Sequence, residues 1–319
     1  MLSGEQIGQL MDRIREQFAM AQDAEITMEV NPGTVSAEKL RNFYTAGINR
    51  LSIGMQSAQA EELKNLGRIH DFEGFCQVYR EAVEAGFTNI NVDIMSGLPG
   101  QTLASYRDTL EKVLHLEPMP QHISAYSLIV EEGTPFAAMA ERGELPLPEE
   151  ETERAMYEET IEVLAKYGFH RYEISNYARD GYECRHNVGY WIRRDYLGFG
   201  IGAASLIDNV RFQNEKSLGA YLAHPLESRE EEQTLTVQDR MEETMFLGLR
   251  LTRGVSCVDF AEQYGRTVEE VYGEVIARNV ADGLLTVTER KENQKKDRFL
   301  ALTKRGLDLS NYVMAQFLF

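Results

Sequence analysis

The sequence contains little cysteine, one tryptophan and no long apolar run. Its three cysteines, Cys76, Cys184 and Cys257, are too few and too widely spaced for a disulfide framework, and no C-x-x-C pair is present. The apolar runs fall far short of the roughly 18 residues that a membrane-spanning helix needs. Met1 is not followed by a basic and then apolar leader. These absences predict a cytoplasmic protein without a membrane span.

Positive charge is also scarce. The chain has 33 lysine and arginine residues against 51 aspartate and glutamate residues, a formal net charge of -18. Because a protein that neutralises phosphates normally presents a basic face, this balance argues against a nucleic-acid partner. With 43% apolar residues, the chain is predicted to be soluble and globular, with one large core or one large and one small core.

The sequence does contain a regular alternation of predicted strands and helices. Short runs rich in Val, Ile, Leu and Tyr predict buried strands at 25–30, 49–55, 89–95, 122–128 and 171–177. Helical patterns lie at 36–46, 58–66, 71–85 and 102–115, after an opening helix whose apolar stripe is Ile7, Leu10, Met11, Ile14 and Phe18. The alternation predicts an α/β fold around a parallel sheet, either a (β/α) barrel or a doubly wound open sheet.

Polar residues at strand ends favour the barrel. Four polar residues lie at or just past the end of a different predicted strand: Glu29, Gln56, Asp93 and Ser127. Singly, such residues more often cap helices or form turns, but barrel enzymes place their chemistry at this rim. The loop GLPGQT (97–102) also follows a strand, and Gly97 and Gly100 would let backbone amides approach an anion or a small polar ligand.

The composition changes near residue 215. Residues 214–234 are polar and carry a run of charge, which predicts a linker or lid. Three predicted helices follow, and then a hairpin of LLTV and FLALT joined by a charged turn at 288–298. We therefore predict a barrel domain at 1–215, a linker or lid at 216–239 and a small winged-helix-like domain at 240–319.

Several longer motifs resemble one known family. They are EVNPGT, GINRLSIGMQS, LGRIHDF, NVDIMSGLPGQT, YSLIVEEGTPF, YEISNYARDGYECRHNVGYW, YLGFGIGAAS and FLGLRLTRGV. On these motifs the chain resembles the HemW haem chaperones, which are radical S-adenosylmethionine (SAM) proteins of the oxygen-independent coproporphyrinogen oxidase class. The resemblance implies a partial, TIM-like (β/α) barrel of the radical SAM type that lacks its first strands, followed by a winged-helix-like domain.

The resemblance also implies a SAM pocket. Its members would be Glu29 of MEVNPG, Gln56 of SIGMQS, Arg68 of LGRIH and Asp93 of NVDIM. SAM carries an ammonium, a carboxylate, a ribose diol and a sulfonium, so a site needs hydrogen-bond acceptors and one guanidinium held on rigid elements. Without the family motif, Arg68 alone would be read as a solvated arginine after a helix.

The chain departs from this family in its cysteines. The family's C-x-x-x-C-x-x-C loop, which holds a 4Fe-4S cluster, is absent, as is the glycine-rich GGGTP loop. We expect an N-terminally truncated or misannotated product whose complete form carries the cluster. Cys76, Cys184 and Cys257 fall on different predicted elements and cannot replace the cluster ligands. The chain is therefore expected to bind no cluster and to be inactive as an enzyme as it stands.

The segment HNVGYW matches an H-N-x-x-Y-W element that the resemblance associates with haem. His186 would be the haem ligand, Asn187 would orient it, and Tyr190 and Trp191 would offer apolar faces to the porphyrin. Cys184 is an alternative ligand, because a thiolate also holds haem iron. The alternative without haem is a loop histidine beside two core aromatics.

Two functions remain open from the sequence. The first is a haem-binding chaperone that passes haem to a respiratory acceptor protein. The second is an enzyme resembling coproporphyrinogen dehydrogenase, an oxygen-independent coproporphyrinogen III oxidase that oxidatively decarboxylates porphyrinogen propionates. The implied ligands are SAM and haem or porphyrin.

Overall fold

The computed structural model of the chain describes residues 2–225, 227, 229–292 and 295–318, with backbone alone for 291, 292 and 295. By its internal contacts the chain divides into two units. Unit 1 comprises Met1–Arg171 and Ser175–Glu183, and unit 2 comprises Tyr172–Ile174 and Cys184–Phe319. No helix among the described residues is long and apolar enough to cross a membrane.

Unit 1 alternates helices and strands, as the sequence predicts. Its elements are α1 (Gly4–Gln17), β1 (Thr27–Val30), α2 (Ala37–Thr45), β2 (Arg50–Gln56), α3 (Ala60–Asn65), α4 (Phe72–Ala85), β3 (Ile90–Ser96), α5 (Leu103–Leu114), β4 (His122–Ser127), α6 (Pro135–Glu141), α7 (Glu150–Lys166), β5 (His170–Arg171) and β6 (Asn176–Ala178). Side-chain caps fix several helix starts, because Ser, Thr or Asp satisfies a backbone N–H of the first turn.

The strands of unit 1 form one mixed, six-stranded sheet. Its order is β1-β2-β3-β4-β6-β5, with β1 to β4 parallel and β5 and β6 antiparallel. The predicted α/β fold with a parallel sheet is confirmed, and within the described residues the strands form an open sheet rather than a closed ring.

Side chains alternate between the two faces of this sheet, since successive strand residues point to opposite sides. One face is apolar and packs on the helices: Leu51, Ile53, Met55, Ile90, Val92 and Ile94 are all buried in the core of unit 1. The opposite face carries Ser52, Asn91, Asp93 and Ser124, which hydrogen-bond to one another. The candidate cofactor residues belong to this polar face and its rim.

Two predictions in unit 1 are wrong in detail. The predicted strand 171–177 is interrupted, because residues 172–174 pair with unit 2: Glu173 forms an antiparallel bridge with Leu251. In α1 the predicted stripe is narrower, since Ile7 and Met11 are buried whereas Leu10 and Phe18 are each 49% exposed.

Unit 2 contains two small antiparallel sheets and seven helices among the described residues. Its elements are α8 (Arg185–Trp191), β7 (Ala204–Ile207), β8 (Val210–Asn214), α9 (Leu218–Ala223), β9 (Arg229–Thr234), α10 (Val237–Gly248), β10 (Val255–Ser256), α11 (Cys257–Tyr264), α12 (Val268–Ala281), β11 (Leu285–Glu292), β12 (Lys295–Leu302), α13 (Lys304–Asp308) and α14 (Ser310–Ala315). The sheets have the orders β7-β8-β9 and β10-β12-β11.

The linker at 216–239 and the domain boundary at 215 stay predictions from the sequence. Within residues 216–239, α9 forms, and the charged run Arg229–Thr234 is the edge strand β9, which pairs with β8. The contact-based division falls between residues 171 and 184 rather than at 215. Residues 226 and 228 of the predicted linker lie outside the described residues.

The three predicted helices and hairpin of the C-terminal domain are present as α10, α11, α12, β11 and β12. Much of the predicted turn at 288–298 is strand instead, since Glu289 pairs with Arg298 and Arg290 with Asp297. Because consecutive residues of these two strands are charged, the sequence pattern did not distinguish the strands from a charged turn. The tip residues 293 and 294 lie outside the described residues.

Candidate functional site

The polar face of the unit 1 sheet is tied together by Asn91. Its Nδ2 donates to Ser52 Oγ at 2.7 Å and to Asp93 Oδ1 at 2.7 Å. Ser52 Oγ also donates to Asp93 Oδ2 at 3.2 Å. The register explains these contacts, because Ser52 lies beside Asn91 and Asp93 lies beside Ser124 on adjacent parallel strands. Asp93 is therefore fixed from both neighbouring strands.

The environment of Asp93 determines its protonation. Burial raises the pKa of Asp93, while hydrogen bonds from Asn91, Ser124 and Ser52 offset part of that rise. The carboxylate of Glu29 raises the pKa of Asp93 further. Glu29 itself is exposed on β1, so the two predicted acidic residues face a common region and interact electrostatically.

His122 completes the network below Asp93. Its Nδ1 lies 2.6 Å from Asn91 Oδ1, and the side chain is fully buried. Burial, followed by the charge of Arg50, lowers the pKa of His122 well below its usual value, so the ring is neutral. Because Asn91 Oδ1 can only accept, Nδ1 of His122 carries the proton and donates it.

Gln56 occupies an unusual backbone position at the end of β2. Its φ of 68° lies in the left-handed region, at an irregularity in the pairing of β2 with β3. The side chain is buried, and its Oε1 accepts a hydrogen bond from Tyr126 Oη at 3.0 Å. Burial, and then the charge of Asp93, raise the pKa of Tyr126 to about 12. Tyr126 therefore joins Gln56 to the region of Asp93.

Arg68 reaches the same rim through Asn31. Its Nη1 donates to Asn31 Oδ1 at 2.9 Å. A Cβ added at Gly54 would lie 2.8 Å from Gln56 Nε2 and 3.1 Å from Asn31 Oδ1. Gly54 therefore lets these two side-chain atoms approach its backbone closely, which a larger residue would prevent. The structure brings Glu29, Gln56, Arg68 and Asp93 to one region.

The GLPGQT loop is held by the protein itself. The Gly100 N–H donates to Pro146 O at 2.8 Å, so it does not point at a ligand as expected. A Cβ at Gly97 would lie 2.9 Å from Glu153 Oε1, which places a carboxylate beside this glycine. Gln101 also braces the loop, donating to Glu62 Oε2 at 3.0 Å. The expected anion site at Gly97 and Gly100 is therefore wrong.

Helix α8 divides the H-N-x-x-Y-W segment between two faces. His186 and Tyr190, four residues apart, pack edge to face with ring centroids at 4.7 Å. Tyr190 packs in the same way on Tyr196, again at 4.7 Å. His186 is exposed and Tyr190 is half-buried. This line of three rings is one continuous aromatic surface of unit 2.

Asn187 and Trp191 lie on the neighbouring face of α8, also four residues apart. The Arg250 guanidinium lies 4.3 Å from the centre of the Trp191 ring. Trp191 lines an apolar cavity of about 360 Å³ in unit 2 together with Phe246 and Met314. The structure therefore does not place Trp191 beside the His186 and Tyr190 rings as one porphyrin surface.

A buried ion cluster fixes the segment after α8. Glu243 of α10 accepts from Arg193 Nε at 2.7 Å and pairs with Arg211 Nη1 at 2.7 Å. The side chains of Arg193 and Glu243 are only 3% and 8% exposed. Arg211 also hydrogen-bonds the side chain of Tyr196. The cluster thus connects the aromatic line to α10.

Six residues that hold the candidate residues in place were not predicted from the sequence: Asn31, Ser52, Asn91, Ser124, Tyr126 and Tyr196. A signal for several of them exists. Asn91 lies two residues before Asp93, and Ser124 two before Tyr126, so each pair must share a face of its strand.

The chain is similar to known proteins along most of its length. Residues 3–113 match the radical SAM superfamily, and residues 235–309 match the HemN C-terminal domain. A heme chaperone HemW from Bacillus subtilis is 38% identical over 324 residues, covering 99% of this chain and 82% of that protein. The Escherichia coli heme chaperone HemW is 35% identical, covering 90% and 75% respectively.

A solved structure gives the same fold. Coproporphyrinogen III oxidase (HemN) from Escherichia coli, a radical SAM enzyme, superimposes with a TM-score of 0.79 at 25% identity, covering 99% of this chain and 74% of that one. The fold and the matches define a radical SAM protein with a HemN-type C-terminal domain. Within that class, the chain belongs to the heme chaperone HemW family.

This class implies SAM and a 4Fe-4S cluster. Among the described residues, no group of three or more His, Cys, Asp or Glu side chains could hold a metal ion. Cys76 lies in α4, Cys184 precedes α8 and Cys257 begins α11. The residues present do not fit the cluster. They do fit SAM, because hydrogen-bond acceptors and a guanidinium come together on this part of the sheet.

Proposed function

We propose that this chain is a haem-binding chaperone that delivers haem to an acceptor protein. The observation that carries the proposal is the similarity to heme chaperones over nearly the whole chain. Helix α8 supplies a chemical basis, since its exposed imidazole lies beside two tyrosine rings. A respiratory acceptor and a cytoplasmic location stay predictions from the sequence.

In this proposal His186 ligates the haem iron and Tyr190 contacts the porphyrin edge. Imidazole is a common haem ligand, and aromatic rings favour edge-to-face contact with a flat macrocycle. Asn187 lies one position away on α8 and would orient His186. Trp191, held under Arg250, anchors the helix in unit 2 and contributes indirectly. Cys184 is the weaker alternative ligand because it is buried.

Titration with haemin, followed at the Soret band, tests the haem proposal. His186→Ala should weaken binding at least about ten-fold, which corresponds to about 1.4 kcal/mol. His115→Ala is the matched control, because His115 is another exposed histidine next to a tyrosine ring. Equal affinity of His186→Ala and the wild type would remove His186 from the site.

We further propose that Glu29, Gln56, Arg68 and Asp93 bind SAM. The carboxylates suit its ammonium and ribose hydroxyls, and the guanidinium suits its carboxylate. When bound, SAM would supply the adenosyl group on which the chemistry of this class depends. Equilibrium dialysis with labelled SAM tests the assignment. Arg68→Gln should weaken binding, Arg13→Gln on α1 should not, and equal binding by all three proteins would contradict it.

An oxygen-independent coproporphyrinogen III oxidase is the alternative function, favoured by the structural similarity to HemN. That reaction removes carboxylate groups from propionates and produces protoporphyrinogen. Incubating the protein anaerobically with coproporphyrinogen, SAM and a reductant tests this alternative. Protoporphyrinogen formation supports the enzyme, and haem binding that is lost in His186→Ala supports the chaperone. A lack of product alone does not separate the two functions, because the described residues do not fit the cluster.

A further inference from the structure

The amino ends of the parallel strands carry a second set of polar residues. Arg50 is the first residue of β2, and it pairs in register with Thr27, the first residue of β1. Asn89 directly precedes β3 and lies beside Arg50, because Leu51 pairs with Ile90. These residues lie at the opposite end of the strands from Gln56. They take no part in the proposed SAM or haem contacts.

Arg50 is a buried charge. Arg50 is only 3% exposed, and its Nε atom is buried without a hydrogen-bond partner. Within the part of the chain that the structure describes, the guanidinium forms no ion pair. A guanidinium stays charged in proteins, and a buried charge normally has a counter-charge. The position therefore calls for an anion.

Neighbouring groups do not supply this anion. The ring of His122 is neutral, because burial and the charge of Arg50 lower its pKa. The carboxylate of Asp93 is engaged by Ser52 and Asn91. Neither of these two described neighbours therefore supplies the counter-charge of Arg50.

Two further buried atoms beside Arg50 lack partners. They are Thr27 Oγ1 and Asn89 Oδ1. Buried polar atoms without partners are rare in folded proteins, and an absent ligand is one accepted explanation. Together the three residues offer a guanidinium, a hydroxyl and an amide on adjacent strands.

We propose that Arg50, Thr27 and Asn89 bind the carboxylate of a small hydroxy or amino acid. A carboxylate matches the planar fork of a guanidinium, and the Thr27 hydroxyl can donate to the same group. Asn89 Oδ1 accepts from a hydroxyl or ammonium next to the carboxylate. The proposal does not rest on haem or SAM binding.

Thermal unfolding in sodium lactate, with sodium chloride at equal ionic strength as the reference, tests this site. Lactate should raise the unfolding temperature of the wild type saturably, by about 2–4 °C at ten times its Kd. Arg50→Met should lose this rise. Arg41→Met, which removes an exposed arginine of α2, should keep it.

Three results would overturn the proposal. They are no lactate-specific rise in the wild type, an equal rise in Arg50→Met, and an equal rise in chloride, which would mean an adventitious ion only. If Arg50→Met does not fold, Thr27→Val replaces it and should weaken lactate binding several-fold. An unfolding temperature that rises with protein concentration instead would assign the carboxylate to a second copy of the chain, against the proposal.

Discussion

The sheet of unit 1 and helix α8 of unit 2 hold their candidate residues in different ways. On the sheet, Asp93 and Gln56 are engaged by neighbours on adjacent strands before any ligand arrives. On α8, His186 is exposed and packs edge to face on Tyr190. The first region is rigid and polar, and the second is open and aromatic.

The difference has a functional meaning. A preorganised polar site suits a ligand that must be held in one orientation. If His186 ligates haem as proposed, its exposed position on a short helix suits a cargo that must leave again, because few contacts have to break. In unit 2 the strongly paired charges are instead in the buried ion cluster of Arg193, Glu243 and Arg211, which follows α8 in the chain and involves α10.

Removing the carboxylate of Glu243 should have the largest effect on stability. Glu243→Gln leaves two arginines without a counter-charge, one of them buried, and should lower the free energy of unfolding by about 3 kcal/mol or more. Glu274→Gln, on the exposed side of α12, is the control and should change it by less than about 0.5 kcal/mol. Urea unfolding measures both, and equal values would show that the cluster does not stabilise unit 2.

Replacing Asn91, which hydrogen-bonds several other residues of the polar face, should have the next largest effect on stability. Asn91→Leu leaves Ser52, Asp93 and His122 without their shared partner, so the free energy of unfolding should fall by about 1–3 kcal/mol. SAM binding should weaken with it, because Asp93 loses a hydrogen bond. A variant as stable as the wild type would mean that the network contributes no rigidity.

The pH dependence of stability should report His122. Its folded pKa lies below its unfolded value of about 6.5, so the unfolded state binds the proton first. Stability should therefore fall as pH drops below about 6.5, by up to about 1.4 kcal/mol per pH unit. His122→Asn should flatten this slope in unfolding measured from pH 7 to 5, and an unchanged slope would contradict the assignment.

Asp93 acts in the opposite direction. Its raised pKa makes the native state bind a proton more readily than the unfolded state. The free energy of unfolding should therefore increase as pH falls from the raised pKa of Asp93 towards the ordinary pKa of an aspartate. Asp93→Asn should remove this increase.

The smallest effect should come from the hydroxyl of Tyr126. Tyr126→Phe removes the bond to Gln56 Oε1 and should cost about 0.5–1.5 kcal/mol. Tyr167→Phe, at a half-exposed tyrosine after α7, should cost less. If the two variants are equally stable, Gln56 keeps its left-handed backbone without this bond.

Much of this arrangement could be predicted from the sequence. The order of strands and helices in unit 1 follows from the spacing of apolar residues and from the helix-capping residues. Glu29, Gln56 and Asp93 lie in one region because they come from neighbouring parallel strands. The partners of those residues require the register, which sequence alone leaves open. The interruption at 172–174 and the strand β9 come from tertiary pairing that overrides composition.

The division of HNVGYW between two helix faces could also be predicted from the sequence. Residues four apart share a helix face, which groups His186 with Tyr190 and Asn187 with Trp191. The sequence could not show that the second pair packs inside unit 2, because that depends on Arg250 and α10.

Imidazole rescue of His186→Ala tests the central claim most directly. If the imidazole of His186 is the haem ligand, the haemin-loaded variant should have a shifted Soret band. Adding millimolar imidazole should return this band to its wild-type position. His115→Ala should need no rescue. A wild-type Soret band in His186→Ala without imidazole would contradict the account.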